Sequence, residues 1–348
     1  MRLAILGYRG IGYVRPMAEG LSRMLSGLGV EHRVFWSSLR LLGRPSARFK
    51  RLAKEWLSRP LLAQLKNYSA VVVVQHMRDA FRRSLAIDEL RQALPNTPIV
   101  LYDLDYLPTV GLWGPWLGAD ENFEAVHGID RYDWYLCVSS IGRCPMPDGF
   151  NPCTQIGVHL DDGSLYPNQN GRFLALIDFE RTNHLKERRL QIEALQEART
   201  EFLVLKGRYS MQDIRRIYRQ CSVYFLAHME SFGLPICELQ ACGSHVFTPY
   251  VSWCDAHRLG RHDAPLPANF VCYRNDKDFL VEQLRRIKAA ASPAVVVRRF
   301  QESHPHFFRG DPDSLRGFLD KLERHEIDSQ AHRGYAEISR RIPVRPED

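Results

Sequence analysis

Residues 70–74 read AVVVV, a run with no polar position on either face. A strand with one wet face alternates polar and apolar residues. A run apolar on both faces belongs in a sheet covered on both sides, and such sheets are parallel, with helices packed on each face. The rest of the first half fits that frame. Leu3–Leu6, His32–Trp36, Pro98–Tyr102 and Trp134–Val138 read as further strands. Val14–Leu28 reads as a helix, with Met17, Leu21, Met24, Leu25 and Leu28 on one stripe. Alternating strands and amphipathic helices predict a doubly wound, Rossmann-like α/β domain over residues 1–156.

A break follows. Residues 144–171 are rich in Pro, Gly, Asp and Asn, and 157–171 is the expected linker. The alternation then resumes over 172–330. Strands are predicted at Phe173–Ile177, Phe202–Leu205, Val223–Ala227 and His245–Phe247. Helices are predicted at Lys186–Ala198, Met211–Arg219, Pro235–Ala241, Asp276–Ala290 and 312–325. The chain of 348 residues is long enough for two such domains, each with its own core. A final helix at 332–341 is the candidate for a segment, 331–348, that crosses back to the first domain.

Composition narrows the function classes. Hydrophobic residues make up 45% and charged residues 25%, the proportions of a water-soluble globular chain. No apolar run is long enough to span a bilayer. The start, MRLAILGYRG, is a strand and a glycine turn, too soon interrupted for a signal peptide. The eight cysteines form no CxxC pair, which predicts reduced thiols in a cytoplasmic protein rather than a disulfide or zinc framework. The net charge of +7 favours anionic partners such as a nucleotide, a phospholipid or a nucleic acid. The basic residues are spread through the chain with no recognised nucleic-acid motif, so no nucleic-acid partner is expected.

The chemistry concentrates in ESFGLPICELQACG, from Glu230 to Gly243. The apolar run Val223–Ala227 leads into it, and Pro235 suits an early helical position, so the segment reads strand, loop, helix. Glu230 then stands in the loop and Glu238 in the first turns of the helix. The helix N-terminus there presents backbone N–H groups and a partial positive charge, suited to a phosphate or a sugar oxygen.

This segment resembles the donor-site signature of retaining GT-B glycosyltransferases, the glycosyltransferase family 4 group (glycosyl transferases group 1). The resemblance implies two Rossmann-like domains facing across a cleft, and transfer of a sugar from a nucleotide-sugar donor without a bound metal. It further implies that Glu230 stands near the donor sugar and that Glu238 accepts the ribose hydroxyls. Ser231, Phe232, Gly233 and Leu234 would line the donor site. The family carries Gly-Arg, four residues, then Lys-Gly, and its Arg and Lys bind the donor pyrophosphate. The chain reads ERTNHLKE from Glu180 to Glu187, so Arg181 and Lys186 match, while glutamates replace both glycines. The stretch GVHLDDGSLYP, Gly157 to Pro167, resembles a further family segment, with His159 at the usual place of an Asp.

In the first domain, GYRGIG carries Gly7, Gly10 and Gly12 and resembles the glycine turn that opens GT-B domains. Tyr8 and Arg9 are cleft candidates. Asp103 and Asp105 follow a predicted strand, whose C-terminal end points to the ligand crevice in such folds. They stand where many family members place a His; His76 follows a different strand. The triplet Asp103-Leu104-Asp105 also keeps a metal-dependent reading open. The basic amphipathic stretch 46–58, SARFKRLAKEWLS, either packs on the sheet or makes a peripheral contact with an anionic membrane at the inner face. The second function class is a non-catalytic GT-B-like scaffold that binds a nucleotide or glycan, prompted by Glu180 and Glu187.

Overall fold

The computed structural model describes residues 1–8, 12–36, 58–75, 87–104, 132–139, 153–179, 184–226, 232–249, 257–258, 264–290 and 292–327. The chain divides into two compact units, Met1–His159 with Gly310–Asp348, and Leu160–Arg309.

In the first unit, β1 (Arg2–Gly7), β2 (Glu31–Trp36), β3 (Ala70–Val74), β4 (Ile99–Asp103), β5 (Trp134–Cys137) and β6 (Cys153–Gln155) form a parallel sheet. Their order is β2-β1-β3-β4-β5-β6. Every residue of β3 is buried, as AVVVV requires. α1 (Val14–Gly27) buries Met17, Leu21, Met24 and Leu25, four of the five residues on the expected stripe. α2 (Ile87–Ala93) is short and was not among the predicted helices. The strand β6 falls within the Pro- and Gly-rich stretch 144–171, where no strand was expected. Its three residues are all half-buried at the sheet edge, so no burial periodicity marks them in the sequence.

The second unit contains β7 (Leu174–Ile177), α3 (Leu185–Glu197), β8 (Glu201–Val204), α4 (Met211–Tyr218), β9 (Val223–Phe225) and α5 (Leu234–Ala241). It continues with β10 (His245–Pro249), β11 (Phe270–Tyr273), α6 (Lys277–Ala289), α7 (Pro293–Ser303) and a 3-10 turn at Pro305–Phe307. The five strands are parallel, in the order β11-β10-β9-β7-β8. α5 is apolar and buried almost all round, covered by β10 and by α7.

After Arg309 the chain rejoins the first unit. Gly310 takes φ +70°, and a Cβ there would collide with the Met24 sulfur, so glycine is required twice over. The Asp311 amide donates to the Ile156 carbonyl at 2.7 Å, and the Asp311 side chain caps α8 (Pro312–Glu323) by accepting from the Ser314 amide at 3.0 Å. α8 packs beside β6. The helix expected at 312–325 within the second domain therefore belongs to the first unit, and the expected linker divides between His159 and Leu160. The predicted helix at 332–341 and residues 46–57 of the basic stretch lie outside the described residues; Ser58 is buried.

Both sheets reverse their strand order, between β1 and β3 and between β7 and β9. In open α/β sheets ligands bind outside the carboxyl ends of the strands at such a switch point. No helix among the described residues is long and apolar enough to cross a membrane.

Candidate functional site

In the second unit β7 and β9 run side by side, with Ile177 opposite Phe225, and the Asp178 amide donates to the Phe225 carbonyl at 3.1 Å. The chain thus leaves two neighbouring strand ends, at Asp178 and Leu226. The segment after the first carries Arg181 and leads to Lys186; the segment after the second carries Glu230 and Ser231. Arg181, Glu230 and Ser231 lie outside the described residues, as do Gly10 and Asp105 and the cleft candidates Arg9 and His76.

The described residues show what holds the bases of these segments. α3 buries Arg188, Gln191, Ala194 and Leu195 on one face. Arg188 Nη2 donates to the Asp178 carbonyl at 2.5 Å. One turn on, the Gln191 amide donates to the Leu226 carbonyl at 2.9 Å and to the Tyr273 hydroxyl at 2.7 Å. The Tyr273 hydroxyl in turn donates to the same Leu226 carbonyl at 2.8 Å, and burial pushes its phenol well above the usual range. A single helix therefore fixes both strand ends. Sequence reasoning missed this pair, yet left a signal: two polar residues three apart on a stripe continued by Ala194 and Leu195. Buried polar groups in such positions are hydrogen-bonded to something specific. Tyr273→Phe keeps the packing and removes the bridging hydroxyl. It is expected to cost about 1–2 kcal/mol, read as a lower urea midpoint at unchanged slope.

Lys186 is the second residue of α3; its side chain is exposed and makes no ion pair or hydrogen bond among the described residues. Beyond β9, Phe232 is buried, stacked on His257 at 5.4 Å between ring centroids and packed on Phe307 at 4.8 Å. Gly233 is the extended N-cap of α5, with no side chain to cap the helix and no acidic residue in its first turn. Among the described residues no side chain caps the backbone N–H groups at that end. Leu234 is buried beneath it.

Glu238 is 4% exposed, and its Oε1 accepts from Arg215 Nη2 at 2.6 Å and Nε at 3.0 Å. Arg215, on α4, also donates to the Asp162 carboxylate and to the Ser164 hydroxyl, the latter at 2.9 Å. Burial pushes the Glu238 carboxyl above its ordinary value, against the pull of Arg215. Burial acts the same way on Asp162, but the Ser164 hydroxyl and amide, then Arg215, outweigh it and hold that carboxyl low. One oxygen of the second signature carboxylate is thus committed to an arginine that sequence reasoning did not single out.

In the first unit Asp103 ends β4, and its Oδ1 accepts from the Leu104 amide at 2.8 Å. Gly12 is exposed, and a Cβ there would meet nothing within 4 Å. His159, at the position of the family Asp, anchors α1 instead. Its carbonyl accepts from Arg23 Nη2 at 2.6 Å, and a Cβ on Gly20 would sit 2.6 Å from the same oxygen. At the end of β3, beside the switch point, Gln75 takes φ +68° while its amide donates to the Tyr102 carbonyl at 2.7 Å. A non-glycine residue in the left-handed region at a strand end is a strain that functional sites often hold, and nothing in the sequence announces it.

No family model and no curated protein matches the chain. Solved structures do. HepE from Anabaena in complex with UDP is 12% identical, with 93% of this chain and 100% of that one covered, at a TM-score of 0.53. The catalytic domain of starch synthase IV from Arabidopsis thaliana, bound to ADP and acarbose, is 11% identical over 97% and 99%, at 0.55. A putative UDP-N-acetylglucosamine 2-epimerase from Listeria monocytogenes is 12% identical over 94% and 98%, at 0.54.

The chain has the GT-B fold. At such identities the likeness is one of fold. A synthase and a putative epimerase share it, so the chemistry has to be argued from the residues.

Proposed function

We propose that the chain is a retaining glycosyltransferase that moves a sugar from a nucleotide-sugar donor to an acceptor hydroxyl, with no metal ion taking part. The observation that carries this reading is the β7/β9 switch point, where the segment with the candidate cations and the segment with the candidate carboxylate leave neighbouring strand ends. Arg181 and Lys186 follow one, and Glu230 follows the other. Two similar solved structures, HepE with UDP and starch synthase IV with ADP and acarbose, support a nucleotide donor.

In this reading the bond between the sugar's anomeric carbon and the diphosphate breaks, and its electron pair leaves with the diphosphate. Arg181 and Lys186 stabilise the growing charge, the task a metal ion performs elsewhere. The open N-terminus of α5 at Gly233 takes a phosphate oxygen. Glu230 orients a sugar hydroxyl or stabilises positive charge developing on the ring. The acceptor oxygen adds on the face the diphosphate leaves, and its proton passes to the departing diphosphate oxygen. Asp103, Asp105, Gly10 and Gly12 serve the first unit's share of the substrates.

The test is a thermal-shift screen against UDP-, GDP-, TDP- and ADP-sugars, followed by turnover with the stabilising donor. Glu230→Gln and Lys186→Ala are each expected to lower transfer about 100-fold or more, the scale of losing one electrostatic contact in such a site. Unchanged turnover in either variant, with the fold intact, removes the assignment.

One observation favours a second reading, a non-catalytic nucleotide- or glycan-binding scaffold: the Glu238 carboxylate is occupied by Arg215. Glu180 and Glu187, in place of glycines, agree with it. A scaffold binds the donor without ever hydrolysing or transferring it, so donor turnover decides between the two.

A further inference from the structure

Three non-glycine residues among the described ones take a positive φ: Gln75 at +68°, Arg199 at +47° and His325 at +56°. Two have an ordinary cause. Arg199 and His325 each stand one residue past the C-cap of a helix, α3 and α8, where a left-handed residue commonly closes the last turn. Gln75 ends a strand. β3 is paired on both sides, and its ladder runs on to the Gln75 amide, which donates to the Tyr102 carbonyl at 2.7 Å. No helix terminus asks for the left-handed turn that follows.

A second cost falls on the same residue. Gln75 is half-buried, and its side-chain Oε1 is buried with no hydrogen-bond partner. Glycine would remove the backbone strain. Asparagine, which tolerates the left-handed region, would reduce it and keep an amide. A bound water satisfies a buried amide as well as a ligand does, yet it leaves the left-handed backbone without a reason. Strain and an unpaired polar group at one residue are what a position kept for a ligand shows.

The place in the fold gives that ligand its role. Gln75 leaves β3 at the β1/β3 switch point, outside the carboxyl end of the first sheet, where open α/β folds bind their ligands. Val74 pairs with Tyr102, so Gln75 and Asp103 are the next residues on neighbouring strands. An amide both donates and accepts, and an ionised carboxylate only accepts. A hydroxyl answers both groups. A phosphate or carboxylate on the ligand meets the charge of Asp103 and is repelled.

We propose that Gln75 contacts the acceptor in the first unit: its side-chain amide holds a hydroxyl of a neutral, hydroxylated acceptor beside Asp103. The inference rests on the transferase reading and adds to it a contact residue and the charge class of the acceptor.

The experiment uses the full chain with the donor that stabilises it. Methyl α-glucopyranoside, methyl α-mannopyranoside and methyl β-galactopyranoside are offered as acceptors, and methyl α-glucuronide as the anionic comparison. At least one neutral pyranoside is expected to raise the release of nucleoside diphosphate above that with water alone, and the glucuronide to do so less. Gln75→Gly is expected to raise the KM for that pyranoside about tenfold or more, the scale of one lost hydrogen bond to a ligand, at an unchanged or higher melting temperature. Gln75→Asn relieves the backbone and keeps an amide, so its KM is expected to fall between the two. A glutamine with a purely structural role gives another pattern: both variants shift the melting temperature and neither shifts the KM. That pattern overturns the proposal, as does a glucuronide that outperforms all three neutral acceptors. Diphosphate release with water but with no gain from any pyranoside overturns it alone and leaves the transferase reading standing. A wild type that releases no diphosphate at all removes the transferase reading, and this assignment with it.

Discussion

Arg215→Met is expected to lower the unfolding free energy by about 3–5 kcal/mol, the usual cost of stranding one partner of a buried ion pair. The geometry makes the second unit dependent on this side chain. Arg215 is 7% exposed and ties α4 to α5 through Glu238, and to the incoming segment through Asp162 and Ser164. Without the guanidinium, Glu238 is left in a site that already disfavours its charge. Two buried charges that vanish together cost far less than one that vanishes alone. Arg215→Met/Glu238→Leu is therefore expected to regain most of the loss, measured by urea denaturation of the four corners of the cycle. A double variant as unstable as the single one would contradict this account. The same protein also bears on function. If it is stable and still binds the donor with wild-type affinity, Glu238 is a structural residue. A tenfold or greater loss restores its place at the ribose.

Acidification from pH 7 to pH 5 is expected to remove about 4 kcal/mol of stability through two histidines. His257 is fully buried against Phe232, Phe270 and Phe307, and neither ring nitrogen has a hydrogen-bond partner among the described residues. Burial, then the neighbouring His304 and His306, lowers its pKa from 6.5 to about 3. Burial and His306 lower that of His304 from 6.5 to about 4. Both folded values lie below the unfolded one, so the unfolded chain binds more protons in this window. The stability is fully present above pH 6.5 and is lost as the pH falls through about 4 for His304 and about 3 for His257. At pH 5 each histidine accounts for about 2 kcal/mol, and a typical domain has only about 5–15 kcal/mol in all. His257→Phe keeps an aromatic ring in the stack. It should leave the pH 7 melting temperature unchanged or higher and roughly halve the acid slope. An unaltered slope between pH 6.5 and pH 5 would show that the imidazole stays neutral for another reason, or not at all.

Residues differ in how openly they declare themselves. AVVVV states its own environment, because a strand buried on both faces has no polar position to spare, and β3 occupies those residues. α1 does the same through its stripe. By contrast, PAVVVRRFQES, where no element is predicted from the sequence, carries a run of β-branched residues and yet forms the helix α7. Pro293 at its first turn and the burial of Val296 and Phe300, with α5 as its neighbour, outweigh propensity. β11 and β6 are short and were missed for want of periodicity. Within the candidate site, the residue types and order of Arg181, Lys186, Glu230 and Glu238 are plain in the sequence. The partner of Glu238 is not, because Arg215 stands 23 positions away on another helix. Nor are Gln191 and Tyr273, 82 positions apart, which meet at the carbonyl of Leu226.

The sequence by itself determined the doubly wound class, most element positions and the order of the charged residues that follow β7 and β9. These follow from periodicity and turn chemistry, which act between neighbours along the chain. Only the tertiary structure decided that α8 returns to the first unit, that α3 anchors both strand ends, and that Glu238 is neutralised by Arg215. Those outcomes depend on which distant groups come within hydrogen-bonding reach once water is excluded. A local pattern cannot encode such pairings, because each is set by the packing of the whole unit.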